Sequence, residues 1–479
     1  MLVFWGMSLA VDTRPELRAE VAASDGRAGM EPAAVAAVAG TCAFHLAFLH
    51  ASLSGLILVY ALALLEIGRA GSAKVAFRLG FLTGFLTFAP QLYWFWNIFG
   101  LAAFGLWAVL AFFPGAFAAL IQAWRRRHGA KHLWIAAPVF WMALEYFRGE
   151  LYFLRFSWLS AGSAFSNQIG AMPAGLAGSY GLGFLVLLLA GAIAAVPAKR
   201  RLAAAAGGLG LLTLLVHWPM AASGETAQRT VKVAGMQLEF PPELKIPEYL
   251  DRVLERHPET EVLVLSEYSL DGPVPPRIRE WCRTNQRYLV IGGKDDSPGN
   301  GQFLNTAFVV GPDGEIVFQQ AKSVPIQFFR DGLPARSQEV WQSPWGTIAI
   351  CVCYDLSYRR VTDRFAAQGA QAFLVPFMDL TDWGEHQHRL HAQVGPMRAR
   401  EYGIPIFRLG SSGLSQSIDA RGRVLAAAPC PGQEKIVAGE LTIGPGASVP
   451  LDAWLAPWCV ALTAANLIWG AVRRWVGRG

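Results

Sequence analysis

Charged residues are scarce in this sequence. Asp, Glu, Lys and Arg make up only 16% of the 479 residues, whereas apolar types make up 53% and the mean hydropathy is +0.33. Because a soluble globular domain carries about 25% charged residues, a wholly soluble protein is not expected. The net charge of +6 is modest, and the basic residues cluster in short runs beside apolar stretches, which argues against a nucleic-acid-binding protein.

Cysteines and phosphate-binding loops are also few. Six cysteines in a chain of this length do not make a disulfide framework. Cys282 and Cys430 are able to bridge in an oxidising compartment, but nothing in the sequence requires that they pair. The usual Gly-rich phosphate loop is missing. The run Met1–Val11 is too short to span a membrane and lacks a basic leader, so it does not read as a signal peptide.

Long apolar stretches, by contrast, are abundant. A membrane-spanning helix needs roughly 17–25 predominantly apolar residues, and eight stretches are candidates: 33–50, 51–67, 76–96, 98–124, 132–148, 174–197, 202–220 and 453–472. The segment between the seventh and the eighth has ordinary charge content, short β-type runs and turn dipeptides. The sequence therefore predicts four parts: an N-terminal cytoplasmic segment (1–32), a membrane domain of seven helices (33–220), one soluble domain (221–452), and a C-terminal transmembrane helix with a basic tail (453–479).

The distribution of basic residues predicts the orientation of these spans. Lys and Arg concentrate in the cytoplasmic loops of membrane proteins. Basic residues follow the second, fourth, sixth and eighth stretches, whereas after the others only Arg148 and Arg155 lie close to a span. The basic residues are Arg69, Lys74, Arg78, Arg125, Arg126, Arg127, Lys131, Lys199, Arg200, Arg201, Arg473, Arg474 and Arg478. Both termini are therefore expected in the cytoplasm, and residues 221–452 outside it.

Three residues of the soluble part lie where short strands are predicted to end. Glu267 ends the apolar run 261–267, Cys353 ends the run 347–353, and Lys322 follows a third strand-like run. Taken singly, such a Glu is usually a solvated strand end, such a Cys a small buried hydrophobe and such a Lys a surface residue. Their order in one domain, each at a strand exit, favours an active site instead, because α/β sheets place their sites in the loops after strands.

Together with the surrounding helices, these residues resemble a known family. Glu, Lys and Cys in this order are similar to the triad of the nitrilase (carbon–nitrogen hydrolase) superfamily, and the whole chain resembles the apolipoprotein N-acyltransferase family. The resemblance rests on Glu145-Tyr-Phe-Arg-Gly149, Trp158-Leu-Ser-Ala-Gly162, Ala177-Gly-Ser-Tyr-Gly181, His386-Gln-His388, Met397-Arg-Ala-Arg-Glu401 and the segment 408–413. It implies a polytopic α-helical membrane domain of about eight transmembrane helices joined to a nitrilase-like αββα sandwich.

The resemblance also implies roles for the triad. Glu267 is expected to act as general base, and Cys353 to attack an ester carbonyl and form a thioester. Lys322 is expected to favour the thiolate and, with the backbone N–H of Tyr354, to stabilise the oxyanion. Cys351 is expected to be a structural residue of the strand.

The implied substrates are two lipids, a phospholipid acyl donor and a diacylated apolipoprotein acceptor. The expected location is the bacterial cytoplasmic (inner) membrane, with the catalytic domain on the periplasmic side, and the expected state is a monomer without a cofactor. Trp94, Trp96 and Trp158 lie on the predicted outer face and are candidates for lipid binding, with interfacial anchoring as the simpler interpretation.

The sequence departs from the family pattern after the triad lysine. Arg330 occupies the position of a functional Glu, and Asp331 beside it is the only nearby carboxylate. Asp355 replaces a Glu, Ser411-Ser412 an Asn, and Ser157 a Pro. Asp331 and Asp355 are therefore candidate substrate-positioning residues. The departures keep two alternatives open: a membrane-bound amidase or hydrolase with the same triad, and a catalytically silent membrane scaffold.

A cluster of histidines lies beside the predicted site. His386, His388 and His391 accompany Asp382 and Glu385, but their spacing fits no standard zinc pattern. The interpretation is a helix start that packs near the active site, and no metal is expected.

Overall fold

The computed structural model describes residues 30–166, 173–218 and 229–476. In this part of the chain, eight helices lie before residue 229 and one begins at Asp452; between them the chain forms two β-sheets with their own helices. The helices before and after the sheets are α1 Met30–Leu49, α2 Ile57–Ile67, α3 Ala73–Gln91, α4 Phe95–Phe99, α5 Ala102–His128, α6 Leu133–Tyr146, α7 Ala174–Ala195, α8 Ala198–His217 and α14 Asp452–Val476. A helix therefore lies within each of the eight predicted stretches. The predicted boundary at 220 and most of the segment 1–32 lie outside the described residues.

Four of these helices are long and apolar enough to cross a membrane. Within the described ranges they are the segments Glu31–Leu49, Ala102–His128, Ala174–Ala195 and Asp452–Arg473. The others are shorter or more polar: α6 has 14 residues, and α2 reaches 17 only with the 3₁₀ turn that precedes it. By length and composition, four helices in the described ranges are thus able to cross a membrane, and the predicted count of eight stays a prediction.

Helices α3 and α5 pack closely against each other at two glycines of α3. A side-chain carbon added at Gly80 would lie 2.7 Å from the carbonyl oxygen of Pro114, and one at Gly84 would lie 3.0 Å from the Ala111 backbone. Small residues at such contacts let helix backbones approach each other, as is common between membrane helices.

The remaining chain forms two six-stranded sheets. Their strands are β1 Arg229–Met236, β2 Val262–Val264, β3 Tyr288–Gly299, β4 Gln302–Val310, β5 Ile316–Ala321, β6 Val340–Ser343, β7 Gly346–Ile350, β8 Ala372–Phe377, β9 Ile406–Gly410, β10 Gln416–Ile418, β11 Val424–Ala427 and β12 Ile436–Ile443. The strand orders are β12-β1-β2-β3-β4-β5 and β11-β10-β9-β8-β7-β6. In each sheet three central strands are parallel, β1–β2–β3 and β7–β8–β9, and the outer pairs are antiparallel.

The alternation of side chains along the strands builds four layers. In β2, Val262 and Val264 pack between the two sheets, whereas Leu263 faces the opposite way, toward helices α9 (Ile246–Arg256) and α10 (Pro276–Asn285). The other sheet is covered by α11 (Arg359–Ala367) and α13 (Val394–Tyr402), and α12 (Glu385–Ala392) leads into α13. The predicted αββα sandwich is confirmed.

A buried ion-pair network joins the sandwich to the helices. The guanidinium of Arg359, at the start of α11, lies 3.1 Å from Glu401 and 2.8 Å from Asp452, the first residue of α14. Asp452 also accepts hydrogen bonds from the backbone of Tyr180 and Gly181 in α7. Because these groups are all buried, the network fixes the position of α11 relative to the helices.

Candidate active site

The three predicted catalytic residues lie together at strand ends. Glu267 follows β2, Lys322 follows β5, and Cys353 follows β7 as the first residue of a 3₁₀ turn, 353–357. The Lys322 Nζ lies 2.8 Å from Glu267 Oε1, the Cys353 thiol donates to the Met378 carbonyl at 3.8 Å, and the backbone N–H of Met378 donates to Glu267 Oε2 at 2.9 Å. All three side chains are buried. The two sheets therefore bring a carboxylate, an ammonium and a thiol into one closed cluster.

Lys322 lies between two carboxylates. Its Nζ is 2.7 Å from Asp331 Oδ2 in addition to its contact with Glu267. Burial opposes the charge on Lys322, but Asp331, Cys353 and Glu267 outweigh it, so the pKa of the ammonium lies well above its usual value. Burial also favours the neutral form of Asp331, yet the contact with Lys322 keeps the pKa of that carboxyl below its usual value. Lys322 is thus a fixed positive charge in the cluster.

Asn305 connects the two carboxylates and was not singled out from the sequence. Its Nδ2 donates to Glu267 Oε1 at 2.6 Å and to Asp331 Oδ1 at 2.8 Å. The side chain is fully buried in β4. Asp331 is held further by Tyr268 OH at 2.7 Å and by the backbone N–H of Ile326 at 2.7 Å. The orientation of both carboxylates is therefore set by neutral donors as well as by Lys322.

The backbone of Cys353 is in a left-handed conformation. Its φ is +53°, which is uncommon for a residue with a side chain and costs conformational energy. Burial and the Glu267 carboxylate raise the pKa of the Cys353 thiol well above its usual value. Burial also raises the pKa of Glu267, although Lys322 opposes the rise. The thiol is therefore protonated at rest, next to a carboxylate of raised basicity that is able to take its proton.

A largely apolar, partly open cavity lies beside Cys353. Helices α4 and α5, the loop 154–158 and the loop after Lys322 contribute most of its lining, which includes Trp94, Phe95, Phe99, Leu110, Phe156, Trp158, Ile326, Phe328, Phe329 and Tyr354. Of the three predicted lipid-binding tryptophans, Trp94 and Trp158 line this cavity. Trp96 is not among the lining residues; it is 48% exposed and packs edge-on against Phe104. A cavity with a largely apolar lining therefore ends at the Cys353 thiol.

Asp355 contacts the backbone of the loop after Lys322. Its carboxylate accepts hydrogen bonds from the backbone N–H groups of Ser323 and Val324, at 2.8 and 2.7 Å. It therefore connects the turn that begins at Cys353 with the loop that begins after Lys322. Burial raises the pKa of Asp355 to about 7. Arg330 points into solvent and donates to the carbonyl of Gly301 at 3.1 Å, so it takes no part in the cluster.

Trp158 and the neighbouring loop support the Cys353 turn from the membrane side. The indole Nε1 donates to Ser357 Oγ at 2.9 Å, and the guanidinium of Arg398 donates to the carbonyls of Leu356 and Ser357, both at 2.9 Å.

Cys351, two residues before Cys353, is fully buried in packed protein, and burial raises the pKa of its thiol. All six cysteines lie in the described ranges and all are free, including Cys282 and Cys430.

The predicted histidine cluster is a helix start. His386 Nε2 lies 2.9 Å from the Gln91 carbonyl, His388 Nε2 lies 2.9 Å from the Leu380 carbonyl, and His391 contacts Asp379. Within the described residues, no three His, Cys, Asp or Glu side chains are grouped so as to hold a metal ion. Asp379 was missed by the sequence reasoning because it follows β8 without a recognisable motif.

Comparison with known proteins decides the family. A family model described as Apolipoprotein N-acyltransferase N-terminal domain matches residues 36–192, and one described as Carbon-nitrogen hydrolase matches residues 201–447. The apolipoprotein N-acyltransferase of Azotobacter vinelandii is 30% identical over 482 residues, which cover 86% of this chain and 90% of that relative. The chain belongs to the apolipoprotein N-acyltransferase family.

The chain is also similar to a second apolipoprotein N-acyltransferase and to a solved structure of the nitrilase superfamily. The apolipoprotein N-acyltransferase of Geobacter metallireducens is 25% identical over 456 residues, covering 82% of this chain and 85% of that relative. Among solved structures, Nit3 of Saccharomyces cerevisiae, a member of branch 10 of the nitrilase superfamily, aligns with 46% of this chain and 93% of that chain, at 21% identity and a TM-score of 0.38.

Proposed function

We propose that this protein moves an acyl chain from a phospholipid to the N-terminal amine of diacylglyceryl-cysteine lipoproteins, through a thioester on Cys353. The observation that carries the proposal is the position of the buried Glu267–Lys322–Cys353 cluster at the end of an apolar cavity. A soluble amide substrate needs no such cavity, whereas a fatty acyl chain does. Membership of the apolipoprotein N-acyltransferase family supplies the two substrate classes.

The first half-reaction forms the thioester. Glu267 takes the proton of Cys353 as the sulfur attacks the ester carbonyl of the phospholipid. Lys322 stabilises the negative charge that develops on the thiolate and on the carbonyl oxygen, and the backbone N–H of Tyr354 is the second proposed donor. The ester C–O bond then breaks, and Glu267 returns the proton to the leaving alkoxide of the lysophospholipid. Charge and atoms balance, and the acyl chain remains on sulfur.

The second half-reaction transfers the chain to nitrogen. The α-amine of the lipoprotein enters the place of the lysophospholipid and attacks the thioester carbonyl. The C–S bond breaks, and the Cys353 thiol is restored. Asp331 acts here as a positioning residue: it holds Lys322 from the side opposite Glu267 at 2.7 Å, and it takes the place of the family Glu that Arg330 leaves unfilled.

The proposed location is the bacterial inner membrane, which eight helices cross, with residues 229–451 on the extracytoplasmic side. The runs Arg125–His128 and Lys199–Arg201 support this orientation, because they lie at helix ends expected in the cytoplasm. Apolar residues exposed around the cavity mouth, such as Phe153 and Phe328, support contact with lipid. Desorbing an acyl chain from a bilayer costs about 0.8 kcal/mol per CH₂, so the site has to meet its substrates at the membrane surface.

Acyl labelling of the purified full chain tests the proposal. Incubation with a phospholipid that carries a labelled acyl chain is expected to give a hydroxylamine-sensitive adduct on Cys353, detected by mass spectrometry. Addition of a diacylated lipopeptide is expected to move the label onto its amine. Cys353→Ala should give no adduct, whereas Cys351→Ala, the matched control in the same strand exit, should still be labelled.

Two results would contradict this function. Wild-type protein without any adduct on Cys353 would favour the silent scaffold. An adduct that is discharged only to water, at the same rate with and without lipopeptide, would favour the membrane-bound hydrolase.

A further inference from the structure

A second acid–base pair lies in the cavity, apart from the Glu267–Lys322–Cys353 cluster. The Nδ1 of His391, on α12, lies 2.9 and 3.0 Å from the two carboxylate oxygens of Asp379. Both side chains are buried, and both line the cavity into which Cys353 also points. Gln387 donates to the same carboxylate at 2.9 Å and fixes its orientation.

The contact with Asp379 determines which nitrogen of His391 carries the proton. An ionised carboxylate only accepts hydrogen bonds, so Nδ1 is the protonated nitrogen and Nε2 presents its lone pair. Among the residues that the structure describes, Nε2 has no hydrogen-bond partner. The ring is held in place by Trp158, stacked at 5.2 Å, and by Phe377, edge-on at 5.1 Å. A buried acceptor without a partner is costly, which is expected where the donor arrives with the substrate.

The proposed reaction releases a proton that the Cys353 cluster does not absorb. An α-amino group has a pKa of about 7.7–8.0, so the acceptor arrives mainly as an ammonium at neutral pH. Aminolysis then reads R–NH₃⁺ + Cys353–S–CO–R′ → R–NH–CO–R′ + Cys353–SH + H⁺. Glu267 moves one proton from nitrogen to sulfur and ends as it began. The second proton needs another base, and no such proton arises in the first half-reaction.

We propose that His391, oriented by Asp379, is a further catalytic residue that takes the surplus proton from the incoming α-ammonium group. The inference rests on the proposed acyltransferase function and deepens it, since it names the protonated amine as the species the site receives. Nε2 accepts N–H from the ammonium, the neutral amine attacks the thioester, and the imidazolium later gives its proton to water. Asp379 balances the positive charge on the ring during this interval.

The electrostatic surroundings of His391 favour an imidazole that is neutral before the substrate binds. The charged and titratable groups around the ring are Asp379, His388 and Arg408, with Cys353, Tyr354 and Arg155 elsewhere on the cavity wall. Burial, assisted by Arg408 and His388, lowers the pKa of His391 although Asp379 opposes the change. Burial favours a neutral Asp379, but His391 and His388 outweigh it and keep the pKa of that carboxyl low.

Separate measurement of the two half-reactions tests this role of His391, because only discharge of the thioester onto the α-ammonium group should need the second base. His391→Asn keeps an N–H donor for Asp379 and removes Nε2. We expect the variant to form the Cys353 thioester at the wild-type rate. Discharge of the thioester onto diacylated lipopeptide at pH 7 should slow by about 10²-fold, the lower end for loss of a general base. The defect should disappear by about pH 9.5, where an amine with a pKa near 8 arrives uncharged.

Hydroxylamine provides the internal control, because it is an uncharged nucleophile at neutral pH. Its discharge of the thioester should be equal in wild type and in His391→Asn from pH 7 upward, where hydroxylamine is uncharged. His386→Asn is the control on the same helix: this histidine contacts the Gln91 carbonyl outside the cavity, and its replacement should leave the pH profile of discharge unchanged. Asp379→Asn should reproduce the selective defect, and it serves if His391→Asn does not fold.

Two results would overturn the role of His391. One is lipopeptide discharge by His391→Asn and Asp379→Asn at the wild-type rate at pH 7. The other is an equal slowing with lipopeptide and hydroxylamine at all pH values, which would indicate a packing role. Both leave the acyltransferase function intact, whereas failure of the wild-type protein to pass its acyl chain to the lipopeptide would remove the function itself.

Discussion

Replacement of Asn305 by leucine is expected to change the pKa of Glu267 while leaving the side chains of Lys322 and Cys353 in place. The two side chains have similar volume, and position 305 is fully buried in β4, so the substitution removes hydrogen bonds without opening a large cavity. The Nδ2 of Asn305 is the neutral side-chain donor to Glu267, at 2.6 Å, and it also donates to Asp331 at 2.8 Å. The charge on Lys322 is left in place. The variant therefore tests one contact that the structure reveals and the sequence does not.

The expected size follows from the hydrogen bond to a charged group. Such a bond contributes about 1.5–3 kcal/mol, and one pKa unit corresponds to about 1.36 kcal/mol. The bond favours the ionised form of Glu267, so its loss should raise the pKa of this carboxyl by about one to two further units. Glu267 must be ionised to accept the thiol proton. As the solution is acidified, the rate of thioester formation in the variant should therefore begin to decrease at a higher pH than in the wild type.

The assay is the initial rate of Cys353 acylation by labelled phospholipid, measured as a function of pH. The acid limb of the profile should move up by about one to two pH units in Asn305→Leu, with little change on the alkaline side. Gln302→Leu, at the exposed end of the same strand, is the control and should leave the limb in place. An acid limb at the wild-type pH in Asn305→Leu, with normal folding, would refute the reasoning.

Two further substitutions test the supports of the site. Arg359→Met leaves Glu401 and Asp452 without their shared buried cation, so thermal unfolding should show a loss of about 3–5 kcal/mol, whereas Arg364→Met on the exposed face of α11 should cost almost nothing. Asp355 has a pKa of about 7 when folded, above its unfolded value, so the folded state binds more protons and wild-type stability should decrease as pH rises from about 4 through 7. Asp355→Asn should lack this part of the decrease, and equal slopes for both proteins would contradict it.

Much of the architecture follows from patterns that are local in the chain. Each of the eight apolar stretches contains a helix, and the short apolar runs of the soluble part are strands of two sheets. The triad was predictable because each member follows a strand, and strand ends in such sandwiches meet. The family motifs have a structural meaning that the sequence alone does not give: Arg398 and Glu401 of the sandwich both contact Ser179 of α7.

The parts that escaped prediction depend on contacts distant in the chain. Asn305 is one polar residue in an otherwise ordinary strand, and only the fold places its amide between two carboxylates. The pairing of Asp379 with His391 is similar, because the loop after β8 returns the carboxylate to a helix that begins only a few residues later. The separation of Trp96 from its aromatic neighbours also depends on the fold: Trp94 and Phe95 line the cavity, whereas Trp96 is exposed and packs against Phe104, and its role in lipid binding stays a prediction.

The turn that carries Cys353 is held in part by residues outside the sandwich. Trp158 holds Ser357, and the carboxylate of Glu150, at the end of the helix that begins at Leu133, accepts the backbone N–H of Arg359 at 2.9 Å. A fragment trimmed to residues 229–451 would retain both sheets, yet the turn that carries Cys353 would lose its contacts with Trp158 and Glu150. The helices and the sandwich therefore form one functional unit. A soluble fragment made by truncation should lose the geometry of its active site.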